Sequence, residues 1–151
     1  MVSIPKAPQT KLAENRVLLH NVNWQTYRAI ADAFGERRSP RLAYYYGKLE
    51  LLSPLEEHEN ASGLIGQFVE ILTEELELNI KTMQSTTLDR EDLNVGAEPD
   101  KCYYIANEPL VRGKRVDLNV DPPPDLVVEV DITHTDINKT ALYAEMEVGE
   151  F

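Results

Sequence analysis

Residues 122–143 read PPPDLVVEVDITHTDINKTALY, and this stretch decides the fold of the chain. The prolines stiffen the approach to an aliphatic run at 126–132, and this run predicts a strand that is buried on both faces. A short polar turn follows, and the pattern after Thr135 predicts a helix that Gly149 ends. The chain is therefore expected to leave a buried strand and enter a helix almost at once.

Two carboxylates lie within the predicted strand, where burial makes an ionised acid costly. Strand alternation places Glu129 and Asp131 on the same face, roughly 6.6 Å apart, and that spacing accepts one cation between them. A simpler interpretation pairs Glu129 with an Arg or Lys and lets Asp131 end the strand. The strand alone leaves both interpretations open, so a second acid from elsewhere must decide between them.

Length and composition bound the class of protein. A chain of 151 residues suits one domain. The N-terminus has no apolar segment of signal-peptide length, and no window approaches the roughly 18 apolar residues of a membrane span. We therefore expect a cytoplasmic protein without membrane contact. The single cysteine, Cys102, has no Cys or His neighbour at zinc-site spacing and is interpreted as a small core residue.

Net charge is the main argument against a nucleic-acid partner. The formal charge is -11, whereas contacts to phosphate groups usually need clustered Lys and Arg. Two short basic segments, 37–41 and 112–115, are candidates for a local positive surface, although such runs are often only solvated loops. A bound divalent cation can also reverse the local sign, so nucleic acid is not excluded.

The first half of the chain contains three local patterns before its longest helix. Residues 1–22 are interpreted as a flexible lead, in which 17–20 form either a short strand or an extended arm. Asn23 is the expected N-cap of a helix that Gly35 closes. Residues 41–52 have the composition of a β-hairpin.

The longest helical pattern runs from residue 56 to about residue 78. Its apolar side chains recur at helical spacing and are expected to pack on a sheet; they are Leu64, Ile65, Phe68, Val69, Leu72 and Leu76. His58 lies in the first turn, where a capping or surface role is common. Glu50, in the second strand of the predicted hairpin, is either an exposed acid or a carboxylate contributed to a site.

Geometry restricts which acid can share a metal ion with Glu129. Asp125 lies roughly 13 Å away along the same strand, which is too far for a common ligand sphere. Asp100 stands at the entry of the strand-like run 101–105 and is the natural partner from a neighbouring strand. With the backbone carbonyl of Val130, these two carboxylates make an all-oxygen site suited to Mg²⁺ or Mn²⁺.

A further cation is needed if such a site hydrolyses phosphodiester bonds, because negative charge develops on the phosphoryl group. Lys139 is the candidate, since it lies on the helix that follows the Glu129 strand. A helix folded back on the sheet can aim this ammonium group at the two acids.

The order and spacing of these residues resemble the Uma-type restriction endonuclease family of the PD-(D/E)XK nuclease superfamily. The resemblance covers residues 23–151 and is carried by Gly47-Lys48-Leu49-Glu50, Ser53-Pro54, the His58 helix start, Glu98-Pro99-Asp100, the segment PDLVVEV at 124–130, Lys139 with Tyr143, and VGEF at 148–151. It implies an α/β, restriction-endonuclease-like fold with a mixed central β-sheet flanked by helices. It also implies a Mg²⁺- or Mn²⁺-dependent endonuclease that acts on DNA.

The resemblance also implies roles for individual residues. Asp100 and Glu129 correspond to the metal ligands of the family. The superfamily's usual lysine, two residues after the glutamate, is replaced here by Asp131. The family pattern implies that Lys139 supplies the missing amine, and it places His58 near the site as a further catalytic candidate.

Two departures from the family keep other functions open. Relatives continue beyond Phe151, so we expect a truncated C-terminal end whose exposed strand edges favour pairing with a second copy, most simply as a homodimer. Asp131 in the lysine position favours a non-catalytic oligomeric or protein-binding module on a degenerate nuclease fold. The acidic net charge favours a hydrolase that acts on a small phosphate compound.

Overall fold

A computed structural model describes residues 14–35, 40–84 and 86–151. Within this part of the chain, eight strands form two antiparallel sheets and four helices accompany them. The five-stranded sheet has the spatial order β1 (Asn15–Leu19), β3 (Lys48–Ser53), β2 (Arg41–Tyr45), β6 (Val95–Ala97), β5 (Leu88–Arg90). The three-stranded sheet has the order β4 (Lys81–Met83), β7 (Lys101–Tyr104), β8 (Leu126–Val128). The helices are α1 (Trp24–Phe34), α2 (Glu56–Glu75), α3 (Glu108–Val111) and α4 (Lys139–Glu145).

This architecture confirms the predicted α/β, restriction-endonuclease-like class, with one difference in the sheet. The strands form two antiparallel sheets, and the parallel pairing among the described residues is the bridge between Leu126 and Glu150. None of the helices in the described part is long and apolar enough to cross a membrane.

Helix α1 forms as its sequence predicts. The Asn23 side chain accepts a hydrogen bond from the Thr26 N–H at 2.8 Å and so caps the first turn. The helix ends at Gly35, whose φ of 71° lies in the left-handed region that glycine tolerates. Its buried face packs Tyr27 on Tyr44 of β2, with ring centroids 4.8 Å apart.

The predicted hairpin at 41–52 is confirmed as β2 and β3. Tyr45 pairs with Lys48 across a two-residue turn, in which Tyr46 and Gly47 both have positive φ. This geometry matches the right-handed twist of the flanking strands. The hairpin brings Arg41 at the start of β2 and Glu50 in β3 to the same sheet.

Strand β1 lies inside the segment that we predicted as a flexible lead. Residues 15–19 pair antiparallel with β3, with Leu18 opposite Glu50, so the strand interpretation of 17–20 is the one that the structure contains. The flexible lead itself stays a prediction. Residues 1–13 lie outside the described residues, and the domain boundary itself stays a prediction.

The strand predicted at 126–132 is shorter than expected. It ends at Val128, because the Val130 N–H donates to the Asp100 side chain rather than to a strand partner. Val127 is buried, whereas Leu126 and Val128 are only half-buried, so burial on both faces is wrong. Cys102 of β7 lies opposite Val127 and is fully buried, which confirms it as a core residue.

Helix α2 is present as predicted, but its buried face is not the apolar one. The buried side chains are His58, Ser62, Gly66, Val69 and Thr73. Short side chains on this face allow close packing, since a Cβ atom at Gly66 would collide with the Lys101 side chain of β7. Most of the apolar stripe that we expected to pack on a sheet is exposed.

Candidate active site

Strand pairing brings Asp100 and Glu129 together. Lys101 of β7 pairs with Val128 of β8, and the antiparallel register continued by one residue sets Asp100 opposite Glu129. The Val130 N–H donates to Asp100 Oδ2 at 2.7 Å, so the backbone beyond β8 is tied to this carboxylate. Two acids that are distant in sequence therefore lie at the same end of adjacent strands.

Asp100 is buried and is held by two basic side chains from different elements. Its Oδ1 atom accepts a hydrogen bond from Arg41 of β2 and lies 2.7 Å from His58 Nε2 of α2. His58 Nδ1 lies 2.7 Å from a carboxylate oxygen of Glu14, the residue before β1. Both ring nitrogens of His58 therefore face a carboxylate oxygen, one from Asp100 and one from Glu14. His58 is thus fully buried in the site rather than a surface or capping group.

Glu129 is held by two residues one turn apart on α4. Lys139 Nζ donates to Glu129 at 2.8 Å, and the Tyr143 hydroxyl donates to its other oxygen at 2.5 Å. The i, i+4 spacing of the two residues places both over this carboxylate. Lys139 Nζ also donates to Asp131 at 3.2 Å. The cation between Glu129 and Asp131 is therefore the Lys139 ammonium group. The simpler interpretation agrees in pairing Glu129 with a Lys, but the strand ends at Val128 and not at Asp131.

The surroundings shift the acidity of these α4 side chains. Burial by itself lowers the pKa of Lys139, but the charges and hydrogen bonds of Glu129 and Asp131 outweigh it and raise that pKa above its usual value. Burial and the charge of Glu129 raise the pKa of the Tyr143 hydroxyl well above its usual value. Both groups therefore stay protonated at neutral pH and act as donors to Glu129.

Arg16 of β1 joins the two halves of the site. Its guanidinium group contacts Glu14 at 3.0 Å, Glu50 at 2.6 Å and Asp131 at 2.5 Å. Glu50 also accepts a hydrogen bond from the Thr135 hydroxyl at 2.8 Å. The sequence left Glu50 as either an exposed acid or a carboxylate contributed to a site. In the structure Glu50 is buried and belongs to this network.

Glu14 and Arg16 are residues of the site that were not predicted from the sequence. Burial alone raises the pKa of the Glu14 carboxyl group, but hydrogen bonds from His58, Thr133 and Arg16 outweigh burial and lower its pKa to about 2. The sequence contains one weak signal for Glu14 and Arg16. They are two residues apart, immediately before the β-run at 17–20, and can form a salt bridge. We call the whole network the charged cluster; it contains the acids Glu14, Glu50, Asp100, Glu129 and Asp131 and the basic residues Arg16, Arg41, His58 and Lys139.

The donor chemistry of the charged cluster fits a hard divalent cation. Asp100 and Glu129 offer carboxylate oxygens, and among the hydrogen bonds of the described residues Asp100 Oδ2 and each oxygen of Glu129 accept only one. Each of these atoms thus retains a lone pair for a metal ion, with waters completing the shell. In the described part of the chain, no group of three or more His, Cys, Asp or Glu side chains is arranged to hold a metal by itself. Val130 contacts Asp100 through its N–H, whereas its carbonyl was the group predicted as a ligand.

The two predicted basic surfaces are largely engaged in internal ion pairs. Arg112 pairs with Glu108 at 2.6 Å, and Lys114 pairs with Asp121 at 2.5 Å. Arg41 faces Asp100 and also contacts Glu59 at 3.0 Å. Residues 37–39 of the first segment lie outside the part of the chain that the structure describes.

A family model described as Uma2, putative restriction endonuclease, matches residues 24–151. No curated protein and no solved structure matches the chain.

Proposed function

The chain belongs to the Uma2 family of putative restriction endonucleases, and on that premise we propose that it is a metal-dependent endonuclease that hydrolyses phosphodiester bonds in DNA. One observation carries the proposal. Asp100 directly precedes β7 and Glu129 directly follows β8, so the register of the two strands sets them opposite each other, and basic side chains from β2, α2 and α4 contact them. A pair of acids braced in this way suits a reaction at a phosphate group.

Each residue of the proposed site has a distinct task. Asp100, Glu129 and the carbonyl of Val130 are the proposed ligands of Mg²⁺ or Mn²⁺. When bound, such an ion polarises a phosphoryl oxygen and lowers the pKa of a coordinated water. Lys139 fixes the position of Glu129 and provides positive charge beside the phosphate oxygens. His58 is a positioning residue. Its Nε2 atom holds Asp100, and its own ring is held by the contact of Nδ1 with Glu14.

The wider setting follows from the same proposal. We take DNA as the substrate, the cytoplasm as the location and a homodimer as the working assembly. The formal charge of -11 means that DNA can approach only where the local charge is reversed. Arg41, Lys139 and a bound divalent cation are the groups that reverse it at the site.

The test is cleavage of supercoiled plasmid DNA with Mg²⁺ or Mn²⁺ present. Substitution Glu129→Ala is expected to reduce the cleavage rate at least about 100-fold, because the charge that holds the cation is lost. Asp92→Asn is the matched control, since Asp92 forms an exposed ion pair with Arg90 away from the site. Circular dichroism melting of each variant separates loss of chemistry from loss of fold.

Two results would contradict this function. The first is cleavage by the wild-type chain that persists after all divalent cations are chelated. The second is a folded Glu129→Ala variant that cuts at the wild-type rate. Either result removes the proposed role of the Asp100 and Glu129 pair.

A second candidate function is a non-catalytic module on the nuclease fold. It is favoured by one observation, that internal cations already pair with both proposed metal ligands and with Asp131, which stands in the superfamily's lysine position. Calorimetric titration with Mn²⁺ distinguishes the two functions. Binding by the wild-type chain that Asp100→Asn abolishes supports the nuclease, whereas a wild-type chain that binds no Mn²⁺ or Mg²⁺ supports the module.

A further inference from the structure

Helix α2 presents a row of large apolar side chains to solvent. Leu64 is 60% exposed and Phe68 is 65% exposed, although both lie in the middle of a 20-residue helix. We call this row the α2 stripe; it consists of Leu64, Ile65, Phe68, Ile71, Leu72 and Leu76. The buried face of the helix lies beside it and carries mainly small and polar side chains.

The size of the α2 stripe is appropriate for a protein interface. Its six side chains expose on the order of 500 Å² of contiguous apolar surface, at the upper end of what monomeric proteins leave uncovered. A standard interface buries about 800 Å² on each partner, and its centre is more apolar than its rim. The stripe alone can therefore supply most of the centre of such an interface.

The sequence of the stripe is symmetric about Phe68. Leu64 and Ile65 lie four and three residues before it, and Ile71 and Leu72 lie three and four residues after it. A twofold axis beside Phe68 sets the Leu64 and Ile65 of one copy level with the Leu72 and Ile71 of an antiparallel copy. This self-complementarity is what an isologous contact between identical chains requires.

The charged side chains of α2 lie mainly at its two ends, so the centre of the stripe carries no charge. The first turn carries Glu56, Glu57 and Glu59, and the last turn carries Glu74 and Glu75. Between residues 60 and 73 the one charged side chain is Glu70, which points away from Phe68 at helical spacing. An antiparallel copy can therefore cover the stripe without burying a carboxylate at the centre.

From the exposure, the symmetry and the charge pattern, we propose that α2 pairs with α2 of a second copy of this chain, antiparallel and with a twofold axis at Phe68. The contact differs from the strand-edge pairing expected from the sequence. It also places the dimer on the same helix that carries His58 and that packs against Lys101, the neighbour of Asp100. The dimer thus holds two proposed sites at a fixed separation.

Sedimentation equilibrium tests the proposal directly. The wild-type chain is expected to be a dimer at micromolar concentration, and Phe68→Glu is expected to raise the dissociation constant at least about 100-fold, because each copy then buries a charge at the axis. Val120→Glu and Leu110→Glu are the matched controls. These side chains are 82% and 60% exposed outside α2, and their substitution should leave the dimer unchanged.

Cysteine cross-linking tests the geometry. Two copies of Phe68→Cys meet at the axis, close enough for a disulfide, so mild oxidation should yield a covalent dimer. Leu76→Cys is the control, since its two copies lie about 24 Å apart in the antiparallel pair and cannot bridge. The native Cys102 is buried and should not contribute.

Two outcomes overturn the proposal. The first is a wild-type chain that stays monomeric up to about 100 μM. The second is a dimer that Phe68→Glu leaves intact, which would assign the contact to another surface.

Discussion

At the scale of single residues, Asp100 is the point at which the Arg41 guanidinium group and a metal ion compete. Arg41 and His58 both contact Oδ1, and Arg41 also pairs with the exposed Glu59. A divalent cation that binds Asp100 is repelled by the Arg41 guanidinium group, because like charges this close oppose one another strongly away from bulk water. Arg41 therefore sets how tightly the site can hold a metal.

Removal of the Arg41 guanidinium group should strengthen metal binding. Arg41→Gln is expected to lower the dissociation constant for Mn²⁺ by about tenfold, since about 1.4 kcal/mol of repulsion is a modest value for neighbouring charges. Isothermal calorimetry on the wild type and the variant measures this change without any activity assay. Arg90→Gln serves as the control, because Arg90 pairs with Asp92 outside the charged cluster. Weaker Mn²⁺ binding by Arg41→Gln would show that Arg41 holds Asp100 in place for the metal instead.

Glu14 should make the stability of the fold sensitive to acid. Its pKa falls to about 2 in the folded chain, where His58 of α2, Arg16 of β1 and Thr133 face it. Since the folded pKa is depressed, its contribution is complete above the unfolded value and is lost as pH falls toward the folded value. The shift corresponds to about 3 kcal/mol at pH 7 and about 1 kcal/mol at pH 3.

Urea unfolding at several pH values measures this contribution. Glu14→Gln should be less stable than the wild type at pH 7, and the difference should shrink as the pH falls from 5 to 3. Glu145→Gln is the control, because Glu145 accepts hydrogen bonds from Tyr45 and Tyr46 outside the charged cluster. A Glu14→Gln deficit that stays constant over this pH range would contradict the linkage.

The residue scale also shows where sequence reasoning reaches its limit. The contact between Glu129 and Lys139 could be predicted, because a strand followed closely by a helix brings residues ten positions apart together. The contacts of Arg16 could not be predicted in the same way. Its partners Glu50 and Asp131 lie 34 and 115 positions away, so only the sheet topology brings them together.

At the scale of elements, local signals predicted the secondary structure of each segment better than they predicted which of its faces packs inward. The Asn23 cap and the hairpin turn at Gly47 act within a few residues, and both are present. Which face of α2 packs inward depends on residues that are distant in sequence. His58 turns toward Asp100 and Glu14, and Gly66 admits the Lys101 side chain, so the polar face packs inward. The usual rule that an apolar face marks the core therefore fails for this helix.

A pair of glycines tests how tightly the last element is packed. Residues after α4 return to β8, where the Glu150 N–H donates to the Asp125 carbonyl at 2.8 Å. A Cβ atom at Gly149 would lie 2.8 Å from that backbone oxygen, which cannot move without disturbing the approach to β8. Gly149→Ala is therefore expected to lower the free energy of unfolding by about 1–3 kcal/mol.

Gly63 provides the matched comparison. It lies exposed on α2, and a Cβ atom there meets nothing within 4 Å. Gly63→Ala should raise the free energy of unfolding by about 0.5–1 kcal/mol, because alanine restricts the unfolded chain and favours a helix. Urea denaturation of both variants gives the comparison. Equal stability of Gly149→Ala and the wild type would show that the segment after α4 contributes little to the fold.

At the scale of the whole molecule, motif order predicted the fold class, whereas the division into two sheets was not predictable. The β2–β6 ladder continues to Glu98, whose N–H donates to the Leu42 carbonyl at 2.9 Å. Pro99 follows and has no N–H to donate, so the chain leaves the first sheet and β7 begins in the second. The proline was visible in the sequence, but it marks an edge or a bulge as often as a change of sheet.

The charge of the whole molecule gives the α2 dimer a distinctive salt dependence. Each copy carries a formal charge of -11, and both ends of α2 are acidic. In the antiparallel pair, Glu75 of one copy approaches the acidic first turn of the other, so the chains repel one another at low ionic strength. Salt screens this repulsion and leaves the apolar contact intact, so the dimer should tighten as salt is added.

Sedimentation equilibrium between 0.05 and 0.5 M NaCl measures this effect. We expect the dissociation constant of the wild-type dimer to fall several-fold over that range, because the Debye length shrinks from about 14 Å to about 4 Å. Glu75→Gln should give a tighter dimer at low salt and a weaker dependence on salt. A dissociation constant that rises with salt would mean that oppositely charged groups hold the copies together. Since α2 carries no Lys or Arg and its one histidine, His58, is buried, such a result would place the contact on another face of the molecule.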